Sequence, residues 1–263
     1  MSAGLAQRLA QAEFLGFDEL DSTNAEARRR AEAGETGPLW ITARRQTQGK
    51  GRRGRVWESV SDNLAATLLF TTDKTPAEAA KTSFIAALAV ADLVETYVPA
   101  GLVFLKWPND VQLAGRKVSG VLIESGRTPD RDGLWMAVGV GVNLATAPQS
   151  VERPATAIAE HLGPDHLTPP SPKAAASLRR ARFAHHMGVW QDQGFGAVIA
   201  EWTARATGLG QPCEARLDGE TVLGVAQGLE ADGALRVRLD DGSIRRISAG
   251  EVFFQGGGDA AGR

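Results

Sequence analysis

Residues Gly49-Lys50-Gly51-Arg52-Arg53-Gly54-Arg55-Val56-Trp57 set three glycines among four cations and close on an aromatic ring. Glycine reaches backbone conformations with φ > 0 and lets the main chain approach a ligand closely. Successive amide N–H groups in such a loop form an anion-binding concavity, and Arg and Lys add charge-assisted, partly bidentate bonds to phosphate oxygens. The run is expected to close over a phosphate-bearing molecule. No Gly-Lys-Ser/Thr follows at the spacing used by the common nucleotide hydrolases. On this run alone, a solvated basic turn or a nucleic-acid patch is the competing reading.

The positive charge is local. The 263 residues carry 29 Lys and Arg against 31 Asp and Glu, a formal net charge of −2. A protein that holds DNA through phosphate neutralisation is usually basic overall or along one face. The balance therefore speaks for a small anionic ligand and against a nucleic-acid partner. A hydrophobic content of 43% supports a sizeable core. The single cysteine, Cys213, excludes an internal disulfide framework and fits a reducing compartment. Its neighbours Pro212 and Glu214 bring no cation to activate a thiol, so a buried structural role is expected. The N-terminus has no secretory core and no run reaches the length of a membrane span. The expectation is a cytoplasmic enzyme without a membrane partner.

A strand is expected near Phe14 to Leu20, then a helix from Ala25 to Ala33. Thr23 with Glu26 three residues on gives that helix a capping-box pattern, and Gly34 stops it. Arg28, Arg29 and Arg30 read as a solvated helix face. Leu39 to Ala43 leads into the basic run as a strand and Leu64 to Phe70 leaves it. Thr75-Pro76-Ala77-Glu78 opens a helix running to Tyr97, with Phe84, Leu88, Ala91 and Val94 at helical spacing. Lys117 to Glu124 and Trp135 to Leu144 read as buried strands. Ser171-Pro172 opens a third helix and Phe195 to Arg205 forms a fourth. Beyond Gly208-Leu209-Gly210 the texture changes. Asp218-Gly219, Asp232-Gly233 and Asp241-Gly242 punctuate short β-rich runs between 213 and 254. Asp-Gly between alternating hydrophobics signals a hairpin, so a small antiparallel barrel of the SH3 type is expected. Residues 256–263 read as a disordered tail.

Four further segments carry polar residues at strand ends. Asp21-Ser22-Thr23-Asn24 precedes the first helix. Lys106-Trp107-Pro108-Asn109-Asp110 follows a short strand, Val103-Phe104-Leu105, with Val111-Gln112-Leu113 as its return. A Trp, an amide and a carboxylate exposed there imply a use, or simply a hairpin turn. Lys117 stands at the mouth of an apolar strand, either snorkelling to solvent or aimed into a pocket. Gly120 within that strand hints at close approach of a backbone or ligand. Gly139-Val140-Gly141-Val142-Asn143 resembles half a dinucleotide fingerprint, but no third glycine opens a helix. The four histidines show no ligand spacing.

Taken together, Asp21-Ser22-Thr23-Asn24, Gln46 before the basic run, residues 106–110, 115–124 and 139–143 resemble, in order and spacing, a biotin protein ligase. The resemblance covers about residues 14 to 254. It implies an α+β fold: a mixed β-sheet flanked by helices, related to class II aminoacyl-tRNA synthetases and lipoate ligases, plus the small SH3-like barrel. The implied units are a catalytic domain over 1–208 and a C-terminal domain over 209–255. About a dozen residues precede the first strand, which resembles the monofunctional type without an N-terminal DNA-binding domain. Lys50 stands where the family often has Arg, keeping charge but not bidentate geometry.

The resemblance implies that biotin and ATP give biotinyl-5′-AMP, with Mg²⁺ carried mainly by ATP phosphates. The biotinyl group then passes to a lysine of a carboxylase's biotin carboxyl carrier domain. It assigns Ser22, Thr23, Asn24, Gln46, Lys50, Gly51, Arg52, Trp107, Lys117 and Gly120 to biotin. Arg52, Arg53, Arg55, Trp57, Asn63, Lys117 and Asn143 go to ATP or the adenylate, and Arg52, Lys117 and Asp110 to catalysis. No protein metal site is implied, and the chain could act as monomer or homodimer. A lipoate or octanoate ligase of the same fold, a regulatory biotin sensor and a basic-loop nucleic-acid module are the alternatives.

Overall fold

A computed structural model describes residues 4–129, 132–149 and 154–254. The expected tail lies outside these residues. The strands are β1 (Glu13–Leu20), β2 (Leu39–Gln46), β3 (Leu64–Thr72), β4 (Val103–Lys106), β5 (Asp110–Leu113), β6 (Arg116–Arg127) and β7 (Leu134–Val142). They form one seven-stranded sheet in the order β1-β2-β3-β7-β6-β5-β4. Only β1 and β2 pair in parallel; the remaining pairs are antiparallel.

The period of two along β7 explains the glycine-valine run. Val138, Val140 and Val142 point into the main core with Leu64, Ala66 and Leu68 of β3. Ala137, Gly139 and Gly141 therefore face the other way, beside Leu69 and Thr67. Helices α1 (Leu5–Gln11), α4 (Thr82–Glu95), α5 (Pro172–Gln193) and α6 (Phe195–Ala204) belong to the valine side. On the glycine side, α2 (Thr23–Glu32) packs Ala27 and Ala31 on Ile41, Leu69, Trp135 and Ala137.

Three expectations change. The helix read from 75 to 97 is broken into α3 (Pro76–Ala80) and α4, because Phe84 N–H bonds back only three residues, to the Lys81 carbonyl at 3.1 Å. Its capping box at Thr75 and Glu78 forms as read. From Phe84 to Val94 every residue but Asp92 is buried, as befits a helix enclosed between a sheet and a second helix layer. The capping box read at Thr23 does not form. Ser22 is the N-cap, without a side-chain cap bond, and Thr23 is the first helical residue with its hydroxyl committed elsewhere. Helix α1 was not anticipated; at two turns it is too short to show a period.

The C-terminal unit holds β8 (Pro212–Arg216), β9 (Thr221–Leu229), β10 (Leu235–Arg238), β11 (Ile244–Ile247) and β12 (Glu251–Phe254), antiparallel in the order β11-β10-β9-β8-β12. All three Asp-Gly pairs turn hairpins, with positive φ at Gly219, Gly233 and Gly242. The Asp232 and Asp241 carboxylates accept backbone N–H groups two residues on, the local bond that suits Asp to turns. Cys213 is buried in β8, and burial pushes its thiol pKa up, so it is the structural thiol expected. This unit is anchored on the large sheet. The segment after α6 adds a bridge to Leu105, and Gly233 accepts the Trp107 Nε1–H at 3.0 Å.

Candidate active site

The glycine face of the sheet is the floor of an open cavity. Gly120, Gly139 and Gly141 are there for space. A Cβ at Gly141 would lie 2.1 Å from the Trp57 ring, and one at Gly120 3.1 Å from Lys117 Nζ. One at Gly139 would lie 2.1 Å from Asn24 Oδ1. Each glycine thus admits the side chain that defines the wall above it. All ten residues assigned to biotin line this cavity: Ser22, Thr23, Asn24, Gln46, Lys50, Gly51, Arg52, Trp107, Lys117 and Gly120.

One end is neutral and polar. The Thr23 N–H donates to Gln46 Oε1 at 2.8 Å, and Thr23 Oγ1 lies 3.1 Å from the same oxygen. The Thr67 hydroxyl lies 2.7 Å from Asn24 Oδ1 and 2.8 Å from Thr23 Oγ1. Asn24 Nδ2 donates to Glu124 Oε2 at 2.8 Å. Ser22, Thr23, Asn24 and Thr67 are buried, so this is a wired wall and not a solvated one.

The other end is cationic. The basic run folds back on itself: Trp57 N–H donates to the Gly49 carbonyl at 2.9 Å, and Lys50 bridges Val56. Its tip turns through Arg53 (φ 54°) and Gly54 (φ 74°). Arg52 donates to Asn109 Oδ1 at 3.0 Å and to the Gly250 carbonyl at 3.3 Å. Burial lowers its guanidinium pKa, against the pull of Asp110. A charge so desolvated, held only by neutral acceptors, gains strongly from an anion. Arg53 reaches Asp218 at 2.8 Å and Arg55 reaches Glu251, one of its two bonds at 2.8 Å. Three arginines of the loop are thereby clasped by the C-terminal unit. Lys117 Nζ sits 2.7 Å from Asp110 Oδ1.

Not every assigned residue comes to the cavity. Arg53, Asn63 and Asn143 do not line it. Asn63 Oδ1 instead accepts the backbone N–H groups of Leu144 and Ala145 at 2.8 and 3.0 Å, and Asn143 donates to the Thr156 carbonyl at 3.0 Å. Both act as struts for the loop after β7. Trp107, expected exposed, is buried at 3%: its ring belongs to the main core and its Nε1–H is taken by Gly233 of the C-terminal unit. Asp110 is already paired with Lys117. Sequence reasoning assigned no role to Lys106, Asn109, Glu124, Thr67 or Glu251. Lys106 lines the cavity while only 3% exposed, its Nζ near the Phe253 and Phe254 rings. A lysine and an asparagine inside the quoted 106–110 motif were the available signal for two of them. Nothing local pointed to Glu251, which lies 196 positions beyond Arg55.

Asp110 and Glu251 are the cavity's carboxylates, and cations engage both. Among the described residues, one grouping of Asp, Glu and His has metal-ligand proximity: Asp92, His186 and Glu201, on the helical side and outside the cavity. Arg205 already spans that cluster, at 2.7 Å from Asp92 and 3.2 Å from Glu201. No described helix is long and apolar enough to cross a membrane.

Residues 16–143 match the Biotin/lipoate A/B protein ligase family, and residues 208–255 match the Biotin protein ligase C terminal domain. The chain is 40% identical over 241 residues to a biotin–[acetyl-CoA-carboxylase] ligase of Paracoccus denitrificans, covering 90% of this chain and 98% of that one. It is 29% identical over 249 residues to a ligase of the same description from Mycobacterium tuberculosis, covering 90% and 89%. The solved structure of the Aquifex aeolicus biotin protein ligase in complex with biotin and ATP aligns with a TM-score of 0.74 at 25% identity, over 92% of this chain and 98% of that chain.

Proposed function

The chain belongs to the biotin protein ligase family, and we propose that it makes biotinyl-5′-AMP and passes the biotinyl group to a lysine of a biotin carboxyl carrier domain. One observation carries this reading: a single cavity joins a wired neutral wall at Thr23, Asn24 and Gln46 to a cationic end at Lys50, Arg52, Arg55 and Lys117. A cyclic urea offers two N–H donors and one strong acceptor, which hydroxyl and amide groups can match. The cations suit a carboxylate that becomes an acyl phosphate.

In the first step a biotin carboxylate oxygen attacks the α-phosphorus of ATP, and the bond to pyrophosphate breaks. Negative charge grows on the phosphate oxygens, so preorganised cations supply most of the rate enhancement. Arg52 and Lys117 are the groups we assign to the reacting carboxylate and α-phosphate. Trp57, lying over Gly141 and beside Gly120, forms the wall we assign to the nucleotide. In the second step the carrier lysine's neutral amine attacks the acyl carbon, an amide forms, AMP leaves and one amine proton is lost. Asp110 holds Lys117 in place and is the cavity carboxylate we assign to accept that proton.

The donor set fits Mg²⁺ that travels on the ATP phosphates, since the cavity carboxylates are engaged by Lys117 and Arg55. When bound, the ion would neutralise charge on the departing pyrophosphate. We further assign residues 1–208 to the catalytic domain and 209–255 to the domain that covers its mouth. Biotin-dependent exchange of pyrophosphate into ATP tests the reading. Exchange driven by lipoate and not by biotin would replace it with a lipoate ligase, and no exchange with either acid would remove the ligase mechanism.

A further inference from the structure

We propose that Glu124, outside the cavity, sets the hydrogen-bond polarity of the Thr23 wall and so selects a substrate that presents N–H donors there. The inference rests on the reading that Thr23, Asn24 and Gln46 face the ring end of biotin.

The argument is an allocation of protons. Glu124 Oε2 lies 2.8 Å from Asn24 Nδ2, and a carboxylate only accepts. Rotating the Asn24 amide by half a turn would set two oxygens against each other at that distance, so Nδ2 must point to Glu124. Asn24 Oδ1 then faces the Thr67 hydroxyl at 2.7 Å, and since an amide oxygen has no proton, Thr67 donates to it. That consumes the one Thr67 proton. The 2.8 Å contact between Thr67 and Thr23 is therefore made by the Thr23 hydroxyl donating to Thr67. Gln46 Oε1 accepts the Thr23 N–H at 2.8 Å, and at 3.1 Å it is a longer contact for the Thr23 hydroxyl than Thr67 at 2.8 Å. With its proton turned inward, Thr23 Oγ1 offers only lone pairs to the cavity.

The wiring is fixed in place as well as in direction. The Asn24 amide fills the space that Gly139 leaves, and Thr67 has no exposure, so water cannot substitute for a missing partner. A neutral partner in place of Glu124 would leave only the longer 3.4 Å contact from Asn24 Nδ2 to the Leu122 carbonyl to favour the native orientation, and so bring the flipped one within reach. In the flipped one, Asn24 Nδ2 donates to Thr67, Thr67 donates to Thr23, and the Thr23 proton turns to Gln46 or to the cavity. Thr23 Oγ1 then has one lone pair fewer to offer and its proton is free to turn to the cavity side, so the wall suits an N–H donor less well. A ring without N–H groups, such as a dithiolane, gains nothing from the native polarity. Glu124 is a positioning residue, since it touches no substrate.

The test compares biotin with its cyclic-carbonate isostere, in which oxygens replace both ureido N–H groups, by calorimetric titration of the full chain. Glu124→Gln should weaken biotin binding about tenfold while leaving carbonate binding within about twofold, so the selectivity ratio falls about tenfold. Pyrophosphate exchange at saturating biotin and the thermal midpoint should stay near wild type, giving a KM effect without a kcat effect. Thr67→Val removes the relay proton at constant volume and should lower the same ratio; it serves if Glu124→Gln does not fold. A ratio unchanged in a folded variant, or equal losses for both ligands, would overturn the proposal. Wild-type protein that binds neither ligand would instead overturn the biotin reading beneath it.

Discussion

Gly139 and Asn24 share one volume: a Cβ on Gly139 would stand 2.1 Å from Asn24 Oδ1. Gly139→Ala must therefore push the Asn24 amide off Thr67 and Glu124. Overpacking of this kind costs about 1–3 kcal/mol and displaces the polar wall. The expected outcome is a folded protein with at least a tenfold weaker biotin Kd, read by calorimetry. Gly16→Ala is the control, since its Cβ would meet only Thr42 Oγ1, at an ordinary 3.6 Å. Equal biotin affinity in the two variants would show that the Asn24 position is not needed.

Lys117 and Asp110 form a pair 2.7 Å apart, yet Lys117 retains 31% side-chain exposure. A pair this accessible contributes less than about 1 kcal/mol to stability. A charge at the reacting phosphate can contribute several times that to the barrier. Lys117→Ala should thus abolish most pyrophosphate exchange while leaving the thermal midpoint within a few degrees. Asp110→Asn should reduce carrier biotinylation more than exchange, because it loosens Lys117 and removes the assigned proton acceptor. Identical losses in both half-reactions would confine Asp110 to positioning.

The loop arginines dock on two carboxylates of different worth. Asp218 is fully exposed, whereas the Glu251 side chain keeps only 14% exposure. Exposed pairs are screened and contribute little. Glu251→Ala should accordingly speed tryptic cleavage between Lys50 and Arg55 in ligand-free protein severalfold, and Asp218→Ala should barely change it. Biotin with ATP should protect the wild-type loop further, by adding an anion to the same cations. Matching cleavage rates in all three proteins would mean that the C-terminal unit does not hold the loop.

Asp21 anchors the start of α2 through its hydrogen bonds from Arg29, both 2.8 Å, and these hold its carboxyl at about 2, below the ordinary 3.8. A carboxyl lowered on folding stabilises the protein fully above the unfolded value and loses that contribution as pH falls toward the folded one. Urea midpoints of wild type and Asp21→Asn should therefore differ most above pH 4 and converge as the pH approaches 2. With the Asp21 side chain 36% exposed, the gap at neutral pH should stay below about 1 kcal/mol. A gap that widens on acidification would assign the effect to another group.

What the sequence made legible were features whose physics is local. Glycine-cation spacing, the turn at Trp107-Pro108-Asn109 and the Asp-Gly hairpins depend on neighbours in the chain, and each falls where the residues predict. The ordered motifs also brought every biotin-assigned residue to one cavity. Long-range roles were not legible. Asn63 and Asn143 have the chemistry to bind a nucleotide but spend it on backbone groups of the 144–156 segment. Trp107 is buried in the main core with its Nε1–H on a carbonyl 126 positions later. The break at Lys81 follows from two i→i+3 bonds, Lys81 N–H to Glu78 and Phe84 N–H to Lys81, within a run of good helix formers. The glycines of β7 were read as an incomplete fingerprint because their partners, Asn24 and Trp57, come from other elements.

Arg52 gives the last prediction. Its guanidinium is desolvated, faces the cavity, and is held by one amide oxygen and one carbonyl. If it grips the phosphate of biotinyl-5′-AMP, its loss should impair retention of the intermediate more than its synthesis. Losing a charge-assisted contact costs roughly 1.5–3 kcal/mol, about one to two powers of ten in affinity. Arg52→Gly should then release reactive adenylate, which acylates exposed lysines of bystander proteins. Arg53→Gly should show far less of this, since Arg53 is turned to Asp218 and outside the cavity. The variants would be incubated with biotin, ATP, Mg²⁺ and serum albumin, and the albumin probed for biotin. Unlabelled albumin alongside measurable adenylate synthesis would mean that Arg52 is not what retains the intermediate.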